Sequence, residues 1–203
     1  MESILISVNP KHCKNILMLN KVLEIRKSYP KCDLPIDVYI YCTKEKGLKN
    51  RLEMMKTDLS NDKTTSTLLN GKVVAKFTLN KVEEIKFDDK DVQSKACLSE
   101  EELFDYLFVD TPYNEDMRKG YAWHIDDLVI FDTPKVLSEF YRSGCKQAIA
   151  VTKRYVLSGM NREERRKYHI DIEMKLQNEV CYVKQEYRIH KPPQSWCYVE
   201  TFL

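Results

Sequence analysis

The stretch Asn20-Lys21-Val22-Leu23-Glu24-Ile25-Arg26-Lys27 decides how the chain is read. Val22, Leu23 and Ile25 favour an extended strand. Alternate side chains of a strand share a face. Glu24 and Arg26 therefore lie on one face with Val22, and Leu23 and Ile25 lie on the other. Lys21 enters beside the charged face, so an ammonium, a carboxylate and a guanidinium meet on one short strand. Two readings are open: a solvated strand face, or a polar site built on a strand.

The flanking segments give that strand its setting. Ile4-Leu5-Ile6-Ser7-Val8 is a short apolar run, read as a buried first strand. Asn9-Pro10 caps a helix over about Lys11–Leu19, with Cys13, Ile16, Leu17 and Leu19 on its apolar stripe. Beyond the charged strand, Ile36–Thr43 alternates cleanly. Ile36, Val38, Ile40 and Cys42 read as core; Tyr39 and Tyr41, on the other face, line a pocket or cover a barrel rim.

Residues 44–70 are mostly polar and read as an insertion, with a helix over Lys49–Met55 and a loop after it. Gly71–Leu79 is a strong strand that continues, bent, through Val82–Ile85. Asp88–Asp91 reads as an acidic turn. Ser99-Glu100-Glu101-Glu102 is a capping box that heads a helix to about Phe108. Tyr121–Phe131 begins with an aromatic cluster around Trp123 and His124 and ends as a strand. Asp132-Thr133-Pro134-Lys135 turns the chain, and Val136–Tyr141 makes a short helical turn.

Residues 144–190 read as a second insertion. Ala148–Val156 is extended, and Asn161-Arg162-Glu163-Glu164 caps a short basic helix. Tyr168–Leu176 then alternates with period two and pairs with Val180–Tyr187 as a hairpin. Pro192–Glu200 is a turn and a closing strand. Strands without regular helix alternation argue for an α+β fold, a small mixed β-barrel with helices at its side. One domain over 1–203 is expected, with insertions at about 44–70 and 144–190.

Composition narrows the function classes. The chain has 203 residues, a hydrophobic share of 43% and only 5 glycines, enough apolar content for a real core and too few breakers for long disordered tracts. Residues 142–191 carry 12 Lys/Arg against 6 Asp/Glu, so the basic excess is local. It is either a solvated insertion or a patch for nucleic-acid phosphate. The 7 cysteines are scattered and form no C-x-x-C, which suits reduced thiols rather than a disulfide frame or a zinc site. His12 and Cys13 are adjacent, the wrong spacing for a ligand pair, and no metal or other cofactor is expected. No apolar run reaches about 18 residues, and Met1-Glu2-Ser3 does not open a signal peptide. The expectation is a cytoplasmic protein without a membrane partner.

In order along the chain, Ser7-Val8-Asn9-Pro10, Lys21-Val22-Leu23-Glu24-Ile25-Arg26-Lys27, Val38-Tyr39-Ile40-Tyr41 and Gly71–Phe77 resemble the ASCH family (activating signal cointegrator homology domains) of the PUA-like superfamily. Tyr121–Ile125 and Pro192–Glu200 are similar to segments of its bacterial and phage branch. The resemblance implies a PUA-like β-barrel with a cleft near the helix before the charged strand. It implies binding of RNA or a modified nucleoside. Some members of the family are amidohydrolases that remove acetyl from N4-acetylcytidine, using a lysine, a threonine nucleophile and a glutamate. Here Lys21 matches the lysine, but Glu24 stands where the threonine would be, and Leu19-Asn20 replaces a glycine turn.

The first functional expectation is a binding module for single-stranded RNA or a modified nucleotide, its cleft beside Lys21–Arg26. Arg26 and Lys21 would hold a phosphate or carbonyl, and Glu24 a base amino group. Tyr39, Tyr41, Trp123 or Trp196 would stack on a base, with His124 and Ser195 completing the ligand set. The alternatives are a nucleoside or RNA hydrolase with Lys21 and Glu24 as catalytic pair and His124 as a third group, and a regulator that meets a protein partner through the insertions.

Overall fold

The computed structural model describes residues 2–45, 47, 50–58, 60, 63–86, 88–108, 119–143, 170–176, 179–184 and 188–200. The basic helix and the extended segment expected within 144–169 lie outside these residues.

The first strand, β1 (Glu2–Val8), is followed by helix α1 (Pro10–Leu17), whose Asn9 side chain accepts from Lys11 N as foreseen. The helix ends two residues early. Leu19 adopts φ 61° and is 69% exposed, so it leaves the apolar stripe that Cys13 and Ile16 keep. Asn20 N and Lys21 N both donate to Asn15 O, closing the helix end and fixing where the next strand starts. That strand is β2 (Leu23–Arg26), shorter than the Lys21–Lys27 span read from sequence.

After β3 (Ile36–Cys42), residues 44–70 form an antiparallel hairpin of β4 (Glu53–Asp58) and β5 (Lys63–Leu68) rather than a helix and loop. Thr57, Thr64, Thr65 and Thr67 carry the strand preference that overrides the helix reading. Asn70 closes the neck: its Oδ1 accepts from Leu52 N at 2.8 Å and its Nδ2 donates to Asn50 O at 2.9 Å.

The strands β6 (Val73–Leu79) and β7 (Val82–Ile85) are the expected bent pair. Between β7 and the next strand lie α2 (Lys90–Ala96) and α3 (Glu100–Phe108). The acidic turn at Asp88–Asp91 is in fact a helix start: Asp89 caps α2 by accepting from Asp91 N and Val92 N. The capping box of α3 forms as read. Glu102 N donates to Ser99 Oγ, and Ser99 N donates to Glu102 Oε2. Then come β8 (Gly120–His124), β9 (Asp126–Lys135), a 3₁₀ turn at Leu137–Glu139 and β10 (Tyr141–Arg142). β9 runs through the expected Asp132–Lys135 turn. It is an edge strand, where Pro134 deprives no neighbour of a ladder bond. The late hairpin is β11 (Ile170–Leu176) with β12 (Glu179–Lys184), and β13 (Trp196–Glu200) closes the described chain.

A six-stranded mixed sheet runs β10-β13-β1-β3-β6-β9, and a three-stranded antiparallel sheet runs β2-β8-β7. β6–β7 and β8–β9 are two bent ribbons that pass from one sheet into the other. His124 N donates to Lys81 O where they bend. The main core, with Ile4, Ile6, Val38, Ile40 and Phe77, fills the space between the large sheet, α1 and Trp123. A second core joins Leu23 and Ile25 of β2 to Val92 and Ala96 of α2 and Leu103 and Leu107 of α3. A third lies on the outer face of the large sheet, around Tyr39, Tyr41 and Phe140.

Because α3 hangs on its capping box, Ser99→Ala lowers stability by about 1 kcal/mol. Urea denaturation measures it, and an unchanged midpoint would show that the cap carries nothing.

Candidate functional site

The alternation of β2 decides the site. Leu23 and Ile25 enter the second core, so Glu24 and Arg26 must face inward on the opposite side. They do not form the solvated face that the pattern allowed. Lys21, Glu24 and Arg26 are 3%, 7% and 5% exposed. Glu24 Oε1 lies 2.9 Å from Arg26 Nη2, and Oε2 lies 3.4 Å from Lys21 Nζ. Lys21 Nζ also donates to Ala96 O at 2.8 Å, the C-terminal end of α2. Arg26 Nη2 donates to Ser7 O at 2.8 Å, and Nη1 reaches Ser195 O and Oγ, each at 3.3 Å. One guanidinium thus ties β2 to the end of β1 and to the residue before β13.

This cluster is the floor of a cleft of about 540 Å³. Its walls come from α1 (His12), α3 (Glu102, Asp105, Tyr106) and the Gln194-Ser195 segment. Two buried side-chain atoms around the floor, Arg26 Nε and His12 Nδ1, have no hydrogen-bond partner in the protein, and Glu24 Oε2 has only the long 3.4 Å ion-pair contact with Lys21 Nζ. Buried polar atoms are ordinarily paired, so all three have hydrogen-bonding capacity left over.

The protonation states follow from the surroundings. Burial alone would raise the Glu24 carboxyl, but Lys21 and Arg26 outweigh it and hold it below its ordinary range. It is an anionic acceptor at neutral pH. Burial, reinforced by Lys21, lowers His12, so its imidazole is neutral there. Burial raises the Tyr106 hydroxyl, which stays protonated.

Of the residues read from sequence, the cleft brings together Lys21, Glu24, Arg26 and Ser195. The others lie elsewhere. Tyr39 and Tyr41 are buried in the outer-face core, because the inner face of β3 is taken by Val38, Ile40 and Cys42. Trp123 is fully buried in the main core, and its Nε1 donates to Ser28 O at 3.3 Å. Trp196 packs edge-on against Trp123 at 5.7 Å between centroids and donates to Ser28 Oγ at 3.0 Å. His124 pairs in register with Leu23, hence on the face away from Glu24, and its Nε2 meets Glu83. It is therefore no third group for Lys21 and Glu24.

His12 and Tyr106 are the residues that the sequence reading missed. His12 sits in the first turn after the Asn9-Pro10 cap. Glu102 and Tyr106 share a helix face at i, i+4, a spacing legible once the capping box is found. Among the described residues, no group of three or more His, Cys, Asp or Glu is placed to hold a metal ion. Nor is any helix there long and apolar enough to cross a membrane.

Breaking the buried cluster is costly: Glu24→Ala loses about 3–5 kcal/mol in urea denaturation. The acid limb of stability then has two stages. His12 binds its proton more readily in the unfolded chain, so stability begins to fall below pH 6.5. Glu24 ionises more readily when folded, so its contribution is complete above 4.5 and is lost as pH drops through the lower folded value. His12→Gln removes the upper stage and Glu24→Gln the lower. A single stage that survives both variants would contradict this assignment.

No protein-family model matches the chain, and no curated protein does. Solved structures do. The crystal structure of ASCH from Zymomonas mobilis is 16% identical, with a TM-score of 0.50 over 98% of this chain and 87% of that one. A single-residue mutant of the Zymomonas mobilis protein aligns at 20% identity, over 66% of this chain and 74% of that one, with a TM-score of 0.46. The mixed sheets and a superposition that spans nearly all of this chain agree: this chain shares the α+β fold of the Zymomonas mobilis ASCH structure.

Proposed function

We propose that the chain is an RNA- or modified-nucleotide-binding module of the ASCH type, which takes a base in the cleft above Lys21, Glu24 and Arg26. The observation that carries this reading is the set of under-paired polar atoms on the cleft floor. Glu24 Oε2 is an acceptor, Arg26 Nε a donor, and neutral His12 offers Nδ1. A base edge with an amino group beside a ring nitrogen or carbonyl meets such a set, and a carboxylate accepting from the amino group of cytosine is a known pairing.

Charge supports a base over a phosphate. The lining holds two cations, Lys21 and Arg26, against three carboxylates, Glu24, Glu102 and Asp105. The two cations are already committed to Glu24, Ala96, Ser7 and Ser195. The expectation that they hold a phosphate therefore gives way to one in which they orient Glu24. Tyr106, with Lys27 Nζ 5.7 Å from its ring centroid, takes the stacking part first given to Tyr39, Tyr41, Trp123 and Trp196.

The hydrolase alternative requires Glu24 or Lys21 to move a proton. Lys21 and Arg26 lower the proton affinity of Glu24 and make it a weak base, and it occupies the position where the resembling amidohydrolases carry threonine. A carboxylate there is an acceptor for a bound base, not a hydroxyl nucleophile.

Titration with cytidine, N4-acetylcytidine and short single-stranded RNA and DNA tests the reading, with free acetate followed in the same samples. Binding is expected without acetate release. Tyr106→Ala weakens it by about 1–3 kcal/mol, the worth of one stacked base. Undiminished binding in Tyr106→Ala would remove the stacking wall, and acetate release that stops in Glu24→Gln would make the chain an enzyme.

A further inference from the structure

A second hollow of about 500 Å³ opens on the other side of the segment that ends at Ser195. Its floor is apolar, with Leu137, Ile189 and Pro192, and its polar groups are Tyr41, Thr43, Lys44, Ser138 and His190. Among the described residues that line it there is no carboxylate. The first cleft, by contrast, carries three carboxylates against two committed cations.

The two hollows share one wall. Ser7 N donates to Ser195 O at 2.9 Å, and Ser7 Oγ donates to Pro193 O at 2.7 Å. Gln194 and Ser195 face the first cleft, while His190 and Pro192 face the second. Pro192 and Gln194 are two residues apart, at most about 7 Å of extended chain. The opposite rim is split in the same way. Thr43 N donates to Val8 O at 2.9 Å, Glu45 takes a hydrogen bond from Asn9 on the first side, and Lys44 lines the second. Gly71, at φ +81°, takes a turn conformation that L side chains rarely adopt, and Lys44 lies over it. A Cβ there would fall well inside contact distance of Lys44 Cε.

From this juxtaposition we infer that the second hollow is a subsite for the backbone of a neighbouring nucleotide, its phosphate held by Lys44 and the Thr43 and Ser138 hydroxyls. The inference rests on the base-binding reading of the first cleft and extends it: the ligand is a single strand, not a free nucleoside. Charge divides the work. The carboxylate-lined cleft receives the uncharged base, and the hollow with no carboxylate among its described lining residues receives the anion. Lysine suits such a place as a point charge for phosphate, and the apolar floor supports the sugar.

The test compares cytidine with six-nucleotide single-stranded RNA and DNA on wild type, Lys44→Glu and, as a control surface charge, Lys86→Glu. Lys44→Glu is expected to weaken oligonucleotide binding about threefold to tenfold at low salt and to flatten the salt slope by about 0.7. Cytidine binding stays unchanged, and so does every affinity of Lys86→Glu. Equal losses for cytidine and oligonucleotide would overturn the inference, since Lys44 would then act through the first cleft or the fold. Equal losses in Lys86→Glu would overturn it too, because the attraction would be diffuse. If wild type binds oligonucleotide but no nucleoside, and Lys44→Glu still weakens it, the base cleft fails while the backbone subsite stands. If wild type binds neither, both fail.

Discussion

The buried carboxylate of Glu24 is the constraint on which the structure depends. It lies between Lys21 and Arg26 where water has been largely excluded, so its charge must be met there or not at all. Meeting it places Arg26, and Arg26 in turn holds Ser7 at the end of β1 and Ser195 before β13. Across this gap, side-chain hydrogen bonds to the backbone join the two sheets. Burying three charges is a poor route to stability alone. The same contacts also fix the direction of Glu24 Oε2 and Arg26 Nε, which is what a rigid recognition floor requires.

The arrangement explains why the cleft lies where it does. The bent ribbons β6–β7 and β8–β9 carry backbone pairing from one sheet to the other on one side. On the β1–β2 side, α1 ends at Leu19 and the chain turns straight into β2, leaving an opening between α1 and α3. Lys21 spans part of it by reaching the last turn of α2. Two of the walls are capped helices, and the floor is an ion cluster tied to the backbone by hydrogen bonds.

The sequence made the framework legible where a local rule had no rival. The alternation of β2 and β3, the Asn9 cap and the Ser99–Glu102 box all formed as their residues dictate. It misled where tertiary context decides. Glu24 and Arg26 fit a solvated face equally well until the second core claims Leu23 and Ile25. Tyr39 and Tyr41 fit an open pocket until the 3₁₀ turn and Ile189 bury most of that face of β3, which leaves Tyr41 only an edge on the second hollow. Helix α2 went unread because Asp88–Asp91 shows its charge more plainly than the apolar Val92 and Ala96 four residues apart. His12 and Tyr106 belong to the site only because α1 and α3 converge, and no local pattern records that.

The central claim is that the under-paired polar atoms of the floor receive the ligand. The most direct measurement is the Arg26 Nε–H resonance, observed by nitrogen-15 NMR while cytidine or N4-acetylcytidine is added. The account predicts that this signal moves together with the His12 imidazole, as both atoms acquire partners. Binding that leaves both unmoved, while resonances of the β4–β5 hairpin or the outer-face core shift, would contradict it.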